Sequence, residues 1–387
     1  MNSLGYAYPW DFDGDEEAAH RAASLGLDGV AIAAAYHTVR AATPLHPRHR
    51  LVRAEHAACY VPVREEAWKG RALRPAVPSW TSGSDGGDSF GHARDALRAA
   101  GLTVHAWTVL THNSRLGAAH PGLTVRNAFG ERYPYALCPA ADEVAEYAAL
   151  LVREVALLGA PDGLVVEACG PLGVTHGGHH DKTDLSGWTE HDRKLLSLCF
   201  CTACESRLRA AGLDPDHVSA RVRAALTPGG STSVDEALGA DVAAAVGETR
   251  AGLTRELRVR VASAVREVEP GLRLTFHASA DPWATGPFAT VSGGLAVPAD
   301  AVVGNCWQPG EPGERELAAL RTAAGPDTRL GAYLLADGTW GDAEAVRERL
   351  GRYRAVGMDE LHLYHLGLAG RDGHDLLRRL VATAGEL

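Results

Sequence analysis

Lysine is nearly missing from this chain: Lys69, Lys182 and Lys194 are the only ones, and arginine carries almost all the positive charge. That bias speaks of codon usage before it speaks of function. Basic residues number 38 against 48 acidic ones, for a formal net charge of −10. Phosphate backbones are bound by clustered Lys and Arg, so a nucleic-acid partner is disfavoured. No apolar run reaches the roughly 18 residues of a membrane helix, and no charged, apolar, small-residue leader opens the chain. The 7 cysteines are odd in number and too sparse for the disulfide framework of a small secreted domain. A reduced, cytoplasmic protein with no membrane partner is expected. Also missing are an internal repeat, a low-complexity linker, and the glycine fingerprint of a dinucleotide fold after the first apolar run.

What is present is an ordinary globular composition, 46% apolar and 22% charged over 387 residues. Eight short apolar runs, at 4–8, 29–35, 103–110, 163–166, 273–276, 301–304, 329–335 and 360–364, read as strands. Helix signals separate most of them, for example 90–100 closed by Gly101, 141–158, and 374–384. Runs this uniformly apolar are buried on both faces, as in parallel sheets. The pattern predicts one (β/α)8 TIM barrel spanning 1–387, in preference to an open doubly wound sheet. A barrel core takes about 250 residues. The surplus falls in long loops after strands two, three and four and in a helical insertion at about 205–269, with a long helix over 234–268.

Strand ends share one rim in such a barrel, and that rim carries the chemistry. Here it gathers Trp10, Asp11, Tyr36, His37, Trp107, His112, Asn113, Glu167, His277, Asn305, Trp307, Asp337, Tyr364 and His365. Trp188, Trp283 and Trp340 follow in the adjoining loops. Indole faces suit the C–H faces of sugar rings, and His, Asn and Asp suit hydroxyls, so a small carbohydrate is the expected partner. Packing beneath loops is the competing role for these rings. Glu167, ending the fourth strand, is the leading proton-transfer candidate, because apolar strand neighbours and nearby Trp would raise its pKa. Asp337 is the second carboxylate, with Asp11 and Asp281 in reserve.

Behind Glu167 comes a His-rich loop in which His176, His179 and His180 read as substrate contacts. Then Cys199, Cys201 and Cys204 open a helix as C-x-C-x-x-C. Three thiolates at this spacing hold zinc if a fourth ligand such as Cys169, His180 or His191 arrives; otherwise they are small buried side chains. Zinc, if bound, is structural, and catalysis is expected to require no cofactor.

Glu167 at a strand end, followed by Cys199-Phe200-Cys201-Thr202-Ala203-Cys204 at a helix start, resembles the TIM-barrel glycosyl hydrolases with a Cys-aromatic-Cys-x-x-Cys motif. More distantly it is similar to the retaining barrel glycosidases. The close match covers 162–207. The resemblance implies that Glu167 is the acid/base and that a strand-seven carboxylate, here Asp337, is the nucleophile. Two positions depart from the pattern: Val166 stands where those enzymes carry Asn, and Asp337 lies just past its strand. The expected function is therefore hydrolysis of a small sugar or glycoside. The alternatives are a metal-dependent sugar isomerase or epimerase begun by Glu167, His277 and Asp281, and a barrel that only binds carbohydrate.

Overall fold

The computed structural model describes residues 1–80, 87–175, 182–226 and 233–387. Eight parallel strands form its centre: β1 (Asn2–Ala7), β2 (Gly29–Tyr36), β3 (Thr103–Val109), β4 (Gly163–Glu167), β5 (Arg273–Ser279), β6 (Ala301–Asn305), β7 (Arg329–Leu335) and β8 (Glu360–Tyr364). Each pairs with the next, and β1 closes the ring by pairing with both β2 and β8. This is a (β/α)8 barrel, as the eight apolar runs predicted. The runs are apolar because outward residues pack against helices while inward ones fill the barrel. Gly163 shows the tightness at the start of β4, since a Cβ there would lie 2.5 Å from the His105 ring on β3.

The excursions after β2 and β3 are more ordered than irregular loops. Val39–Ala42 and Leu51–Ala54 pair as a hairpin after β2. The long loop expected after the third strand holds a helix, Ser114–Ala119, and a second hairpin, Thr124–Arg126 with Arg132–Leu137. The helical insertion after β4 is confirmed in kind, but the long helix is broken. Val234–Leu238 ends at Gly239, whose φ of 76° suits glycine, and Ala240–Arg266 continues from there.

The insertion has a small core of its own, in which Leu195, Leu198, Phe200, Leu208, Val218, Val222 and Leu238 take part, separate from the barrel's apolar cluster. Helix Ala240–Arg266 returns the chain to the barrel against helix Asp142–Gly159. Among the described residues no helix is long and apolar enough to cross a membrane.

Candidate active site

Glu167 ends β4 with its side chain inward, almost wholly buried. Burial pushes its carboxyl up from the ordinary 4.5 to about 7, because the charged form loses its water. Trp107, inward on β3, donates its indole N–H to Oε2 at 2.7 Å. That bond favours the carboxylate, so the tryptophan acts opposite to the expectation that it would raise the pKa; burial alone does so. On the other side His277 Nδ1 lies 3.5 Å from the same oxygen. Burial holds His277 well below its ordinary pKa, with His362 adding to the effect, so it is neutral.

Aromatic rings roof this carboxyl. Trp107 meets Tyr6, Tyr36, Tyr8 and Tyr364 at centroid distances of 5.0, 4.5, 6.0 and 6.3 Å. Tyr333 packs on Tyr6, His277, Trp307 and Tyr364. Beyond these rings opens a cleft of about 740 Å³ whose walls include Phe288, Trp307, Asn305, Trp283, Asp281 and Glu316. Phe288 stacks face to face on His277 at 4.7 Å, so a single layer of rings separates the cleft from the pair His277–Glu167. Trp307 is 39% exposed on the cleft wall.

The remaining rim residues divide. Asn305 accepts the Trp307 amide N–H and lines the cleft. Tyr364 exchanges a hydrogen bond with Tyr8 at 3.3 Å. His37 stacks between Tyr36 and His112, each 4.2 Å away. His365 is buried 4.2 Å from Tyr8 and pushed down to about 3 by burial. Its Nδ1 accepts the Gly367 amide, which leaves the proton on Nε2.

Other candidate residues make structural contacts as well. Trp10 and Trp340 are fully buried packing residues, the first stacked on Tyr8 and the second donating to the Leu335 carbonyl. Asn113 caps helix Ser114–Ala119 through the Leu116 amide. Asp11 accepts the Tyr8 amide at 2.8 Å and is raised by burial to about 7. Asp337 caps the short turn Gly338–Trp340, accepting both the amide and the hydroxyl of Thr339. Asp281 pairs with Lys194 at 2.9 Å on the cleft wall. His176, His179 and His180 lie outside the described residues.

The cysteine motif assembles. Cys199, Cys201 and Cys204 converge with Cys138, which follows the hairpin strand Arg132–Leu137, and their sulfurs all lie within 4.8 Å of one another. Cys138 thus joins the three where the sequence suggested Cys169, His180 or His191, of which His180 lies outside the described residues. Cys138 Sγ is 3.4 Å from that of Cys204 and 3.6 Å from that of Cys201. Thiolates held at about 2.3 Å around a tetrahedral zinc are about 3.8 Å apart, so the donor set fits the metal. The amides of Arg126 and Cys201 both donate to Cys199 Sγ at 3.4 Å, as they would to a thiolate. The guanidinium of Arg250, buried and with its pKa lowered by that burial, stands near enough to feel Cys204, Cys199 and Cys138. Zinc with four thiolates carries two negative charges, which a buried cation helps to offset. Among the described residues, no second group of three or more metal-capable side chains forms, so Glu167, His277 and Asp281 do not gather as an isomerase would require.

Glu316 and the inward Tyr6, Tyr333 and His362 escaped the sequence reading. Glu316 sits in a helix, Glu311–Ala324, where nothing marks it out; its carboxylate accepts the Ala280 amide and is raised by burial. The others did carry a signal. Glu360, His362 and Tyr364 alternate with Leu361 and Leu363, so the polar face of β8 has to point into the barrel.

No protein-family model matches the chain, and no curated protein matches it. Solved structures do. The glycoside hydrolase domain of PgaB (BpsB) from Bordetella bronchiseptica aligns over 98% of this chain and 99% of its own, with TM-score 0.61 and 16% identity. The catalytic domain of β-amylase from Paenibacillus polymyxa covers 99% and 98%, at TM-score 0.57 and 11% identity. Alpha-L-fucosidase isoenzyme 2 from Paenibacillus thiaminolyticus aligns with 99% of this chain, which spans only 49% of the fucosidase, at TM-score 0.59 and 12% identity. At such identities the likeness is one of fold. The structures this chain is similar to include TIM-barrel glycoside hydrolases of several kinds.

Proposed function

We propose that the chain is a glycoside hydrolase acting on a small sugar or glycoside, with Glu167 as its general acid/base. One observation carries the reading: a desolvated carboxyl at the C-terminal end of β4, raised to about 7, where a group can both give and take a proton near neutral pH. The neighbouring cleft supports a sugar-sized ligand, with Trp307 as its platform and Asn305, Asp281 and Glu316 for hydroxyls. The second carboxylate of a glycosidase pair is sought among Asp337, Glu316 and Asp281; a retaining enzyme needs it about 5 Å from the first. Phe288 and Trp307 must yield for the substrate to reach Glu167.

The test is Glu167→Gln, assayed for turnover and for binding on a panel of aryl glycosides. Turnover should fall by at least about a hundredfold, the scale of a lost acid/base group, while binding and the circular dichroism spectrum persist. Undiminished turnover would end the assignment. If neither protein turns over any glycoside but both bind sugar, the barrel is a binding protein.

We also propose a structural zinc on Cys138, Cys199, Cys201 and Cys204. It has no place in the reaction, because four sulfurs leave no open position for substrate.

A further inference from the structure

One buried arginine is left without an anion of its own. Helix Ala240–Arg266 places Arg250 against the cysteine cluster, nine-tenths buried. Among the described residues it forms no salt bridge, its Nε has no partner, and Nη2 meets only the Ala284 carbonyl, at a long 3.5 Å. A buried guanidinium in that state is costly unless a counter-charge stands nearby. Arg126 and Arg207 also approach the cysteines, but each has a carboxylate, Glu205 at 2.6 Å and Glu256 at 2.7 Å. Arg250 has none.

Two anionic groups flank it. On one side are the sulfurs: Arg250 shares with Cys138, Cys199 and Cys204 the wall of a small cavity of about 40 Å³, so packing leaves the guanidinium room to turn. On the other side is Asp281. The Ala284 carbonyl that Arg250 touches belongs to a turn opened by Asp281, whose backbone carbonyl accepts the Ala284 amide at 3.1 Å and whose carboxylate accepts the Trp283 amide at 3.0 Å. Both the sulfurs and Asp281 act on the charge of Arg250. Asp281 also holds Lys194 at 2.9 Å. Lys194 lies on helix Glu190–Leu196 of the insertion, and both side chains line the cleft.

We infer that Arg250 is a switch that couples the metal of the cysteine cluster to the Lys194–Asp281 ion pair on the cleft wall. The inference rests on the zinc and the cleft proposed above. Zinc and four thiolates sum to two negative charges. In that state the guanidinium is held toward the sulfurs, and Lys194 alone neutralises Asp281. When the metal leaves, the sulfurs take protons from solvent and the cluster becomes neutral. The exchange breaks Zn–S bonds, forms S–H bonds and needs no oxidant. One divalent ion departs and four protons arrive, so the site changes by two positive charges. Arg250 then faces a neutral cluster, and the anion left beside it is Asp281.

Turning to Asp281 gives the guanidinium a partner and takes one from Lys194. Lys194 keeps Glu190, 2.7 Å away and itself largely exposed, and its ammonium is freed toward the cleft. The metal thus sets which cation sits on Asp281, and with it the charge that a ligand meets. Coupling of this kind runs both ways. A ligand that prefers one state of the Lys194–Asp281 pair changes the affinity for metal by the same factor as the metal changes the affinity for the ligand. A cluster that only pinned the insertion would act on Lys194 through movement of its helix, with or without Arg250.

The shortage of lysine makes the test specific, because Lys69, Lys182 and Lys194 are the only side chains that carry the label. The full chain, labelled with ¹³C,¹⁵N-lysine and kept reduced, is followed by NMR at one pH while zinc is stripped with a chelator and then restored. Metal content is measured alongside, and Lys194→Arg assigns the signal. The Lys194 ammonium signal should shift on stripping and return on reloading, while Lys69 stays put. In Arg250→Met, zinc should still come and go, and the Lys194 signal should no longer follow it. A Lys194 signal indifferent to zinc in the wild-type protein overturns the switch. An equal shift in Arg250→Met overturns it too, and assigns the effect to movement of the helix. If Arg250→Met does not fold, Asp281→Asn replaces it: a shift that survives the loss of that carboxylate refutes the switch as firmly. A chain that binds no zinc overturns the zinc and the switch together, whereas zinc that binds without moving Lys194 overturns the switch alone.

Discussion

Replacing Glu167 by Gln removes one titratable group and almost nothing else, since the amide oxygen can still accept the Trp107 indole N–H. The native carboxyl binds its proton with a pKa of about 7, against 4.5 for an unburied one. A raised native pKa contributes stability that is complete below the unfolded value and is lost as pH rises through the folded one. The displacement is equivalent to about 3 kcal/mol, and the near-complete burial of Glu167 calls for no discount for solvent screening. Urea unfolding of both proteins from pH 4 to 8.5 isolates the effect, because Asp11, also raised to about 7, titrates in both and cancels. Relative to the variant, the wild-type protein should lose about 3 kcal/mol between pH 4.5 and 8, most of it before pH 7. Parallel stability curves would refute the claim that Glu167 is desolvated in the folded chain.

Trp107→Phe deletes the donor that steadies the carboxylate, a charge-assisted bond of about 1.5–3 kcal/mol. The Glu167 midpoint should rise by about one to two units in a carboxyl ¹³C titration, whereas a fall would mean the indole had been raising it. Cys138→Ser should lower zinc bound after dialysis from one per chain and reduce the melting temperature, while Cys169→Ser leaves the metal content alone; equal zinc in both would remove Cys138 from the set. Trp307→Ala should weaken sugar binding by isothermal calorimetry with little change in stability, its ring being 39% exposed. Trp10→Ala should instead cost about 3–5 kcal/mol of stability, as a fully buried indole does.

The barrel was legible because its strands are buried on both faces: runs such as Arg329–Leu335 and Glu360–Tyr364 have the same bounds in sequence and structure. Glu167 was legible for the same reason, as the carboxyl that ends such a run. Cys138 was not, because it meets Cys204 across 66 residues, from a hairpin after β3 to a helix after β4. No local period encodes that meeting. The tryptophans misled in part. Position at a strand end does not say whether an indole faces solvent, as Trp307 does, or lies under the chain that follows, as Trp10 and Trp340 do. Tyr6 and His362 were hidden by the reading of their strands as apolar, although the alternation of His362 with Leu361 and Leu363 placed it on the inward face.

The insertion after β4 packs around Phe200, while Cys201, the next residue, is buried with the barrel. Two cores therefore meet across a single peptide bond. A segment with its own apolar centre can open apart from the rest of a fold, and here the border between the two apolar clusters runs beside four sulfurs. A bond among those sulfurs, through a metal or between two of them, would tie the insertion's detachment to that of the barrel, and the chain's susceptibility to proteases would then report the thiol chemistry of its surroundings.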